Sequence, residues 1–112
     1  MIFQDASDIV TDDILLELKD FIPHSHVYLK LEGLNPAGSV KIKTATALIA
    51  SAERTGTLAP GSGRVIESSS GNLGIALSMV CAARDYRLTI VTDANTQKPA
   101  LQAMSALGTE LF

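Results

Sequence analysis

Leu34-Asn35-Pro36-Ala37-Gly38-Ser39-Val40-Lys41 reads as the end of a strand, a tight turn and the first turn of a helix. Pro36 fixes its own φ and pushes Asn35 out of the helical region. Gly38 supplies backbone freedom where the chain reverses. Ser39 suits an N-cap, its hydroxyl placed to accept from an amide near Lys41 or Ile42. A helix is expected from about Ser39 to Arg54, with Lys41 in its first turn.

That position is unusual for a cation. The positive end of the helix dipole disfavours it by roughly half a kcal/mol or more. An ammonium that is also desolvated gives up its proton more readily, and the free amine is a nucleophile able to form a Schiff base. The alternative reading is a surface lysine in a turn where acids are normally preferred.

Outward from this stretch, strands and helices alternate. Upstream, Val27 to Glu32 alternates apolar and polar residues and predicts a strand. Thr11-Asp12-Asp13 before Ile14-Leu15-Leu16-Glu17-Leu18-Lys19 predicts a short capped helix that Pro23 stops, so residues 1–25 are expected to form a helical N-terminal segment. Downstream, Gly56, Pro60, Gly61 and Gly63 mark a surface loop. Val65-Ile66 begins a strand, and Leu73 to Ala83, apolar on nearly every side, predicts a helix buried between layers. Leu88 to Val91 is an interior strand, Gln97 to Leu107 a helix with Gly108 at its C′ position, and Glu110-Leu111-Phe112 a strand cut short. The predicted fold class is α/β, a parallel sheet covered by helices.

A second stretch carries chemistry. In Ser68-Ser69-Ser70-Gly71-Asn72, hydroxyls, a glycine and an amide stand where a strand hands over to a helix. Backbone amides and the helix dipole make such a turn an anion site. A substrate carboxylate suits it better than a nucleotide pyrophosphate, because no Gly-x-Gly-x-x-Gly or Walker-type loop is present. The alternative is an ordinary serine-rich helix cap.

Composition narrows the class. The 112 residues are 46% hydrophobic, enough for one core, and the net charge of −3 gives no electrostatic footprint for nucleic acid. No run of about 18 apolar residues exists to span a membrane. Asp5, Asp8, Asp12 and Asp13 stand where a signal peptide would be basic, then apolar; they read as a solvated face and helix-start charges. The single Cys81 fits a reducing cytoplasm and reads as a small core residue. His24 and His26 have no third ligand nearby and read as a surface loop. Lys43, two positions past Lys41, reads as exposed.

With both stretches in view, the sequence resembles the fold-type II pyridoxal-phosphate enzymes, the cysteine synthase and β-substituting alanine synthase family. The matching residues are Lys30-Leu31-Glu32, Asn35 to Lys41, Glu67 to Ala76, and Ala106-Leu107-Gly108. The resemblance implies pyridoxal 5′-phosphate as cofactor, with Lys41 holding it covalently and later moving the α-proton. It implies Asn72 as the hydrogen-bond partner of the cofactor's 3′ oxygen. Ser69, Ser70, Gly71 and Asn72 become the loop that grips the amino acid's α-carboxylate. The implied partners are small amino-acid substrates and a second copy in a homodimer. The implied reaction is β-replacement on an activated L-serine, O-phosphoserine or O-acetylserine.

Departures from the family pattern sharpen the expectation. Ile42-Lys43 follows Lys41 where Asp-Arg is common, and Leu73 stands where sulfhydrylases usually carry a threonine. The usual Thr-Pro-Leu-Val segment near the N-terminus is absent. The Ser-Ser-Gly-Asn-Leu-Gly form resembles the 2,3-diaminopropionate branch, whose enzymes join O-phosphoserine to L-glutamate. Cysteine synthase activity, a non-catalytic binding module and a plain structural domain are the alternatives. The glycine- and threonine-rich loop that holds the cofactor phosphate in this family is not found. Residues 1–112 are therefore expected to be the N-terminal part of such an enzyme and inactive alone.

Overall fold

The computed structural model describes every residue except Val10. In chain order its elements are β1 (Leu15–Glu17), β2 (Tyr28–Lys30), α1 (Lys41–Arg54), β3 (Arg64–Ser68), α2 (Asn72–Ala83), β4 (Arg87–Val91), α3 (Lys98–Ala106) and β5 (Glu110–Leu111). Single 3₁₀ turns occupy Ala6–Asp8 and Glu32–Leu34. Strands β3, β4 and β5 form a parallel sheet in that order, with Ser68 level with Val91 and Ile90 level with Leu111. The α/β class with a parallel sheet covered by helices is therefore as the sequence implies.

The core forms where the helices meet this sheet. One stripe of α1, Ile42, Ala45 and Ile49, is buried, following the helical spacing of the sequence. It meets Ala76, Leu77, Val80 and Cys81 of α2, together with Leu88 and Ile90 of β4 and Met104 of α3. Helix α2 is the buried helix expected: Gly74, Ala76, Leu77, Ser78, Val80 and Cys81 are buried, Leu73, Ile75 and Met79 half-buried, and Asn72, Ala82 and Ala83 at its ends exposed. It packs between α1 and α3 on one hand and β4 on the other, as a helix buried between layers should. Gly108 takes φ +87° after α3, as its C′ role requires.

The N-terminal region departs most from the sequence reading. The helix expected over Thr11 to Lys19 is absent. Leu15, Leu16 and Glu17 instead pair antiparallel with Lys30, Leu29 and Tyr28. The β-partner downstream takes up the backbone hydrogen bonds that a helix would have made internally. The hairpin extends past the strands, where Leu18 donates to the carbonyl of Val27 at 2.9 Å. All residues of β1 and β2 are exposed, so the strand expected over Val27 to Glu32 is shorter and lacks a buried face. Pro23 lies in the connection, which turns through Asp20 and His24, both at φ 58°.

Candidate active site

Lys41 stands at the first residue of α1, and the preceding turn is set by local chemistry. Gly38 adopts φ +73° and its amide donates to the Asn35 carbonyl at 2.7 Å. Ser39 Oγ accepts from the Lys41 amide at 3.2 Å, as expected, although Val40 occupies the cap position itself. The Lys41 side chain is exposed. The desolvation on which a nucleophilic amine would depend is thus not provided by the described residues. Burial of that kind needs chain packed over the turn, which a helix start cannot supply for itself.

The second stretch forms the turn between β3 and α2, at the carboxyl edge of the parallel sheet. Ligands of open α/β sheets bind at that edge. Ser69 Oγ accepts from the amides of Gly71 (3.3 Å) and Gly74 (2.9 Å), and the Ser69 amide donates to the Val91 carbonyl at 3.0 Å. Ser69 is therefore the fastener of the turn, with its lone pairs already engaged. Ser70 and Asn72 are exposed, and neither side chain has a hydrogen-bond partner among the described residues. With the first amides of α2 they make an open set of donors at the positive end of a helix. The structure brings Ser69, Ser70, Gly71 and Asn72 into one turn. No hydrogen bond among the described residues links Lys41 to it.

A neighbouring loop on the same edge went unread in the sequence. After β4, the Asp93 carboxylate accepts from the Asn95 amide at 2.8 Å, and Thr96 Oγ1 accepts from the Asp93 amide at 3.3 Å. The signal was present in Thr92-Asp93-Ala94-Asn95, an Asx-type turn directly after a β-branched strand.

A polar network also flanks Lys41. Glu32 Oε2 accepts from Asn35 Nδ2 at 2.6 Å, while Glu32 Oε1 lies 3.1 Å from both Lys43 and Lys30. Lys43 also pairs with Asp12, and Lys30 lies 3.6 Å from Asp12. Asn35, 4% exposed, accepts from Thr11 through Oδ1. Hydrogen bonding from Lys43 holds the Asp12 carboxyl below its usual range, and bonds from Lys30 and then Lys43 do the same for Glu32. The bond to Asp12 raises Lys43 above its ordinary value. Lys43 is thus half-buried and paired rather than free, and Asp12 is an ion-pair partner rather than a helix-start charge. Both corrections arise because Glu32 and Asp12 reach α1 from distant segments. Cys81 is buried, as expected, and burial pushes its thiol up to about 11.

The chain belongs to the pyridoxal-phosphate dependent enzyme family, which residues 9–112 match. Its relatives within that class include cysteine synthases. It is 47% identical over 88 residues to cysteine synthase B of Escherichia coli (strain K12), covering 79% of this chain and 29% of that protein. It is 40% identical over 112 residues to the probable cysteine synthase of Bacillus subtilis (strain 168), covering 98% and 36%. The crystal structure of O-ureido-L-serine synthase is similar with a TM-score of 0.89 at 36% identity, covering 100% of this chain and 35% of that one. The O-acetylserine dependent cystathionine β-synthase from Helicobacter pylori gives a TM-score of 0.91 at 32% identity, covering 100% and 38%. The chain spans between 29% and 38% of the length of these relatives. The structural neighbours are fold-type II enzymes, and the helix-covered parallel sheet is the fold this chain shares with them.

The donor set fits one part of the family's cofactor chemistry. An exposed primary amine can bond a carbonyl carbon, and the unpartnered Ser70 hydroxyl and Asn72 amide can meet oxygen atoms.

Proposed function

We propose that residues 1–112 supply the cofactor lysine and the substrate-carboxylate turn of an enzyme that performs β-replacement on an activated L-serine. Lys41 would hold pyridoxal phosphate covalently through its Nζ, and Asn72 Nδ2 would donate to the cofactor's 3′ oxygen. When bound, the cofactor draws electron density from the amino acid's Cα and so acidifies its proton. Ser70, with the Gly71-Asn72 backbone, grips the α-carboxylate and orients the Cα–H bond, while Ser69 keeps that turn in shape. With the substrate's amino group taking its place on the cofactor, the freed Lys41 Nζ would take the Cα proton, and the group on Cβ would leave with its bonding electrons. An amine or thiol would add there and lose its proton, and Nζ would return a proton to Cα. The observation that carries this reading is the unpaired Ser70 and Asn72 at the open start of α2, on the ligand-binding edge of the sheet.

Two substrate pairings follow from different observations. Leu73 in place of a hydroxyl-bearing residue favours joining O-phosphoserine to L-glutamate, the 2,3-diaminopropionate reaction. The cysteine synthases among the relatives favour cysteine synthase activity, for which the pair would be O-acetylserine and sulfide. The intact enzyme is proposed to be a cytoplasmic homodimer. Residues 1–112 form its N-terminal part, and without a phosphate-binding loop they hold the cofactor weakly and turn over little.

Borohydride reduction of the intact protein with pyridoxal phosphate, followed by peptide mapping, tests the assignment. Label on Lys41 is expected, and label on another lysine, or none, removes the enzyme reading. Lys41→Ala is expected to abolish turnover with either substrate pair, and product formation from the two pairs identifies the nucleophile.

A further inference from the structure

Lys41 lies inside a closed ring of polar contacts. Asn35, six residues before it, is held by Glu32 Oε2 at 2.6 Å and by the Glu32 carbonyl at 2.9 Å. Lys43, two residues after it, is held by the other oxygen of the same carboxylate at 3.1 Å. Between them, the Gly38 and Lys41 amides are pinned to the Asn35 carbonyl and Ser39 Oγ. Thr11 and Asp12 brace the ring from the N-terminal segment through Asn35 and Lys43. Helix α1 has no acidic residue in its first turn, so Glu32 and Asp12 supply from outside the negative charge that its dipole and two lysines call for.

We propose that Glu32 and Lys43 are positioning residues that together fix the loop presenting Lys41, Glu32 holding the start of the loop with one carboxylate oxygen and the first turn of α1 with the other. The proposal rests on the assignment of Lys41 as the cofactor lysine. A residue two positions along a helix points away from Lys41, so Lys43 acts through the backbone and not by touching the cofactor. Its ammonium is what matters, and arginine, with the same charge and a longer reach, can keep the contact.

The test follows covalent attachment of pyridoxal phosphate to the intact apo-protein, with borohydride mapping and amide hydrogen exchange alongside. Lys43→Met and Glu32→Ala are each expected to slow attachment at Lys41 by roughly tenfold, within the range that misplacing a reacting group produces. The Gly38 and Lys41 amides are expected to exchange about tenfold faster in both. Lys43→Arg is expected to restore both readouts. Glu53→Gln, which loosens the remote Arg84–Glu53 pair at 3.1 Å, is expected to change neither, separating positioning from a general loss of stability. Native attachment at Lys41 with unchanged rate and exchange in Lys43→Met and Glu32→Ala overturns the positioning role alone. Native label on a lysine other than Lys41 overturns the assignment beneath it as well.

Discussion

Replacing Gly74 with alanine should damage both the packing of α2 and the turn that precedes it. A Cβ at residue 74 would lie 2.6 Å from Met104 Sδ on one side and 3.3 Å from Ser69 Oγ on the other. Ordinary contacts lie near 3.5–4.0 Å, so the sulfur would have to retreat by about 1 Å. Met104 is 0% exposed, so its sulfur can retreat only toward other buried side chains. The opposite escape, tilting α2 away, stretches the 2.9 Å bond from the Gly74 amide to Ser69 Oγ. Overpacking of this kind costs about 1–3 kcal/mol, and the better helix propensity of alanine returns at most about 1. With both sides blocked, the net expected loss is about 1–2 kcal/mol. Urea unfolding followed by circular dichroism should show a lower midpoint with an unchanged slope. Shortening the obstacle provides the control: in a Met104→Val background, Gly74→Ala should cost at least about 0.5 kcal/mol less than it does alone. A Gly74→Ala protein as stable as the native one, or a cost unaltered by Met104→Val, would refute the close-approach argument.

Ser69→Ala removes the shared acceptor of two amides and should cost about 1 kcal/mol, as loss of a helix cap does, read as a lower urea midpoint and faster exchange at Gly71 and Gly74. Ser78 Oγ donates to the Gly74 carbonyl and accepts from Thr109 Oγ1, each at 2.7 Å. Ser78→Ala should therefore cost about 1–3 kcal/mol by orphaning a buried hydroxyl, and adding Thr109→Val should recover part of that loss in the same assay. Burial, and then the hydroxyl bond to Glu53, pushes Tyr86 from 10.0 up to about 12. Because the folded value lies above the unfolded one, this contribution is complete below pH 10 and is lost as pH rises toward 12. Thermal midpoints measured across that window should fall less steeply in Tyr86→Phe than in the native protein.

The parts of this fold that the sequence announces are those decided within a few residues. Gly38 and Ser39 shape the entry to α1 through bonds to Asn35 and Lys41, and the serine turn closes on Gly71 and Gly74. The buried stripe of α1 and the β-branched centre of β4 follow from periodicity alone. The failures are pairings across distance. Ile14 to Lys19 carries acids before it and leucines within it, which suits a helix start as well as a strand. Only the 13-residue separation between Leu16 and Leu29 in the ladder decides the matter. The same holds for Lys43, whose position on α1 says surface while Asp12, 31 residues earlier, says otherwise.

The candidate site divides along the same line. Which groups stand at the mouth of a helix is a local property, so Lys41, Ser70 and Asn72 were legible from spacing and turn chemistry. Whether water reaches them is not local, because it depends on what packs above. Here Lys41, Ser70 and Asn72 are all exposed, and the chain spans between 29% and 38% of the length of the four relatives named above. The ring through Glu32 is instead complete within these residues, with Asn35 buried and Lys43 half-buried. On the proposed reading, presentation of the amine is built into this part of the fold, whereas its desolvation would need further surface laid across the loop. The two can fail separately: loss of Glu32 or Lys43 should disturb the loop whether or not the amine is covered, and loss of the cover should leave the ring intact.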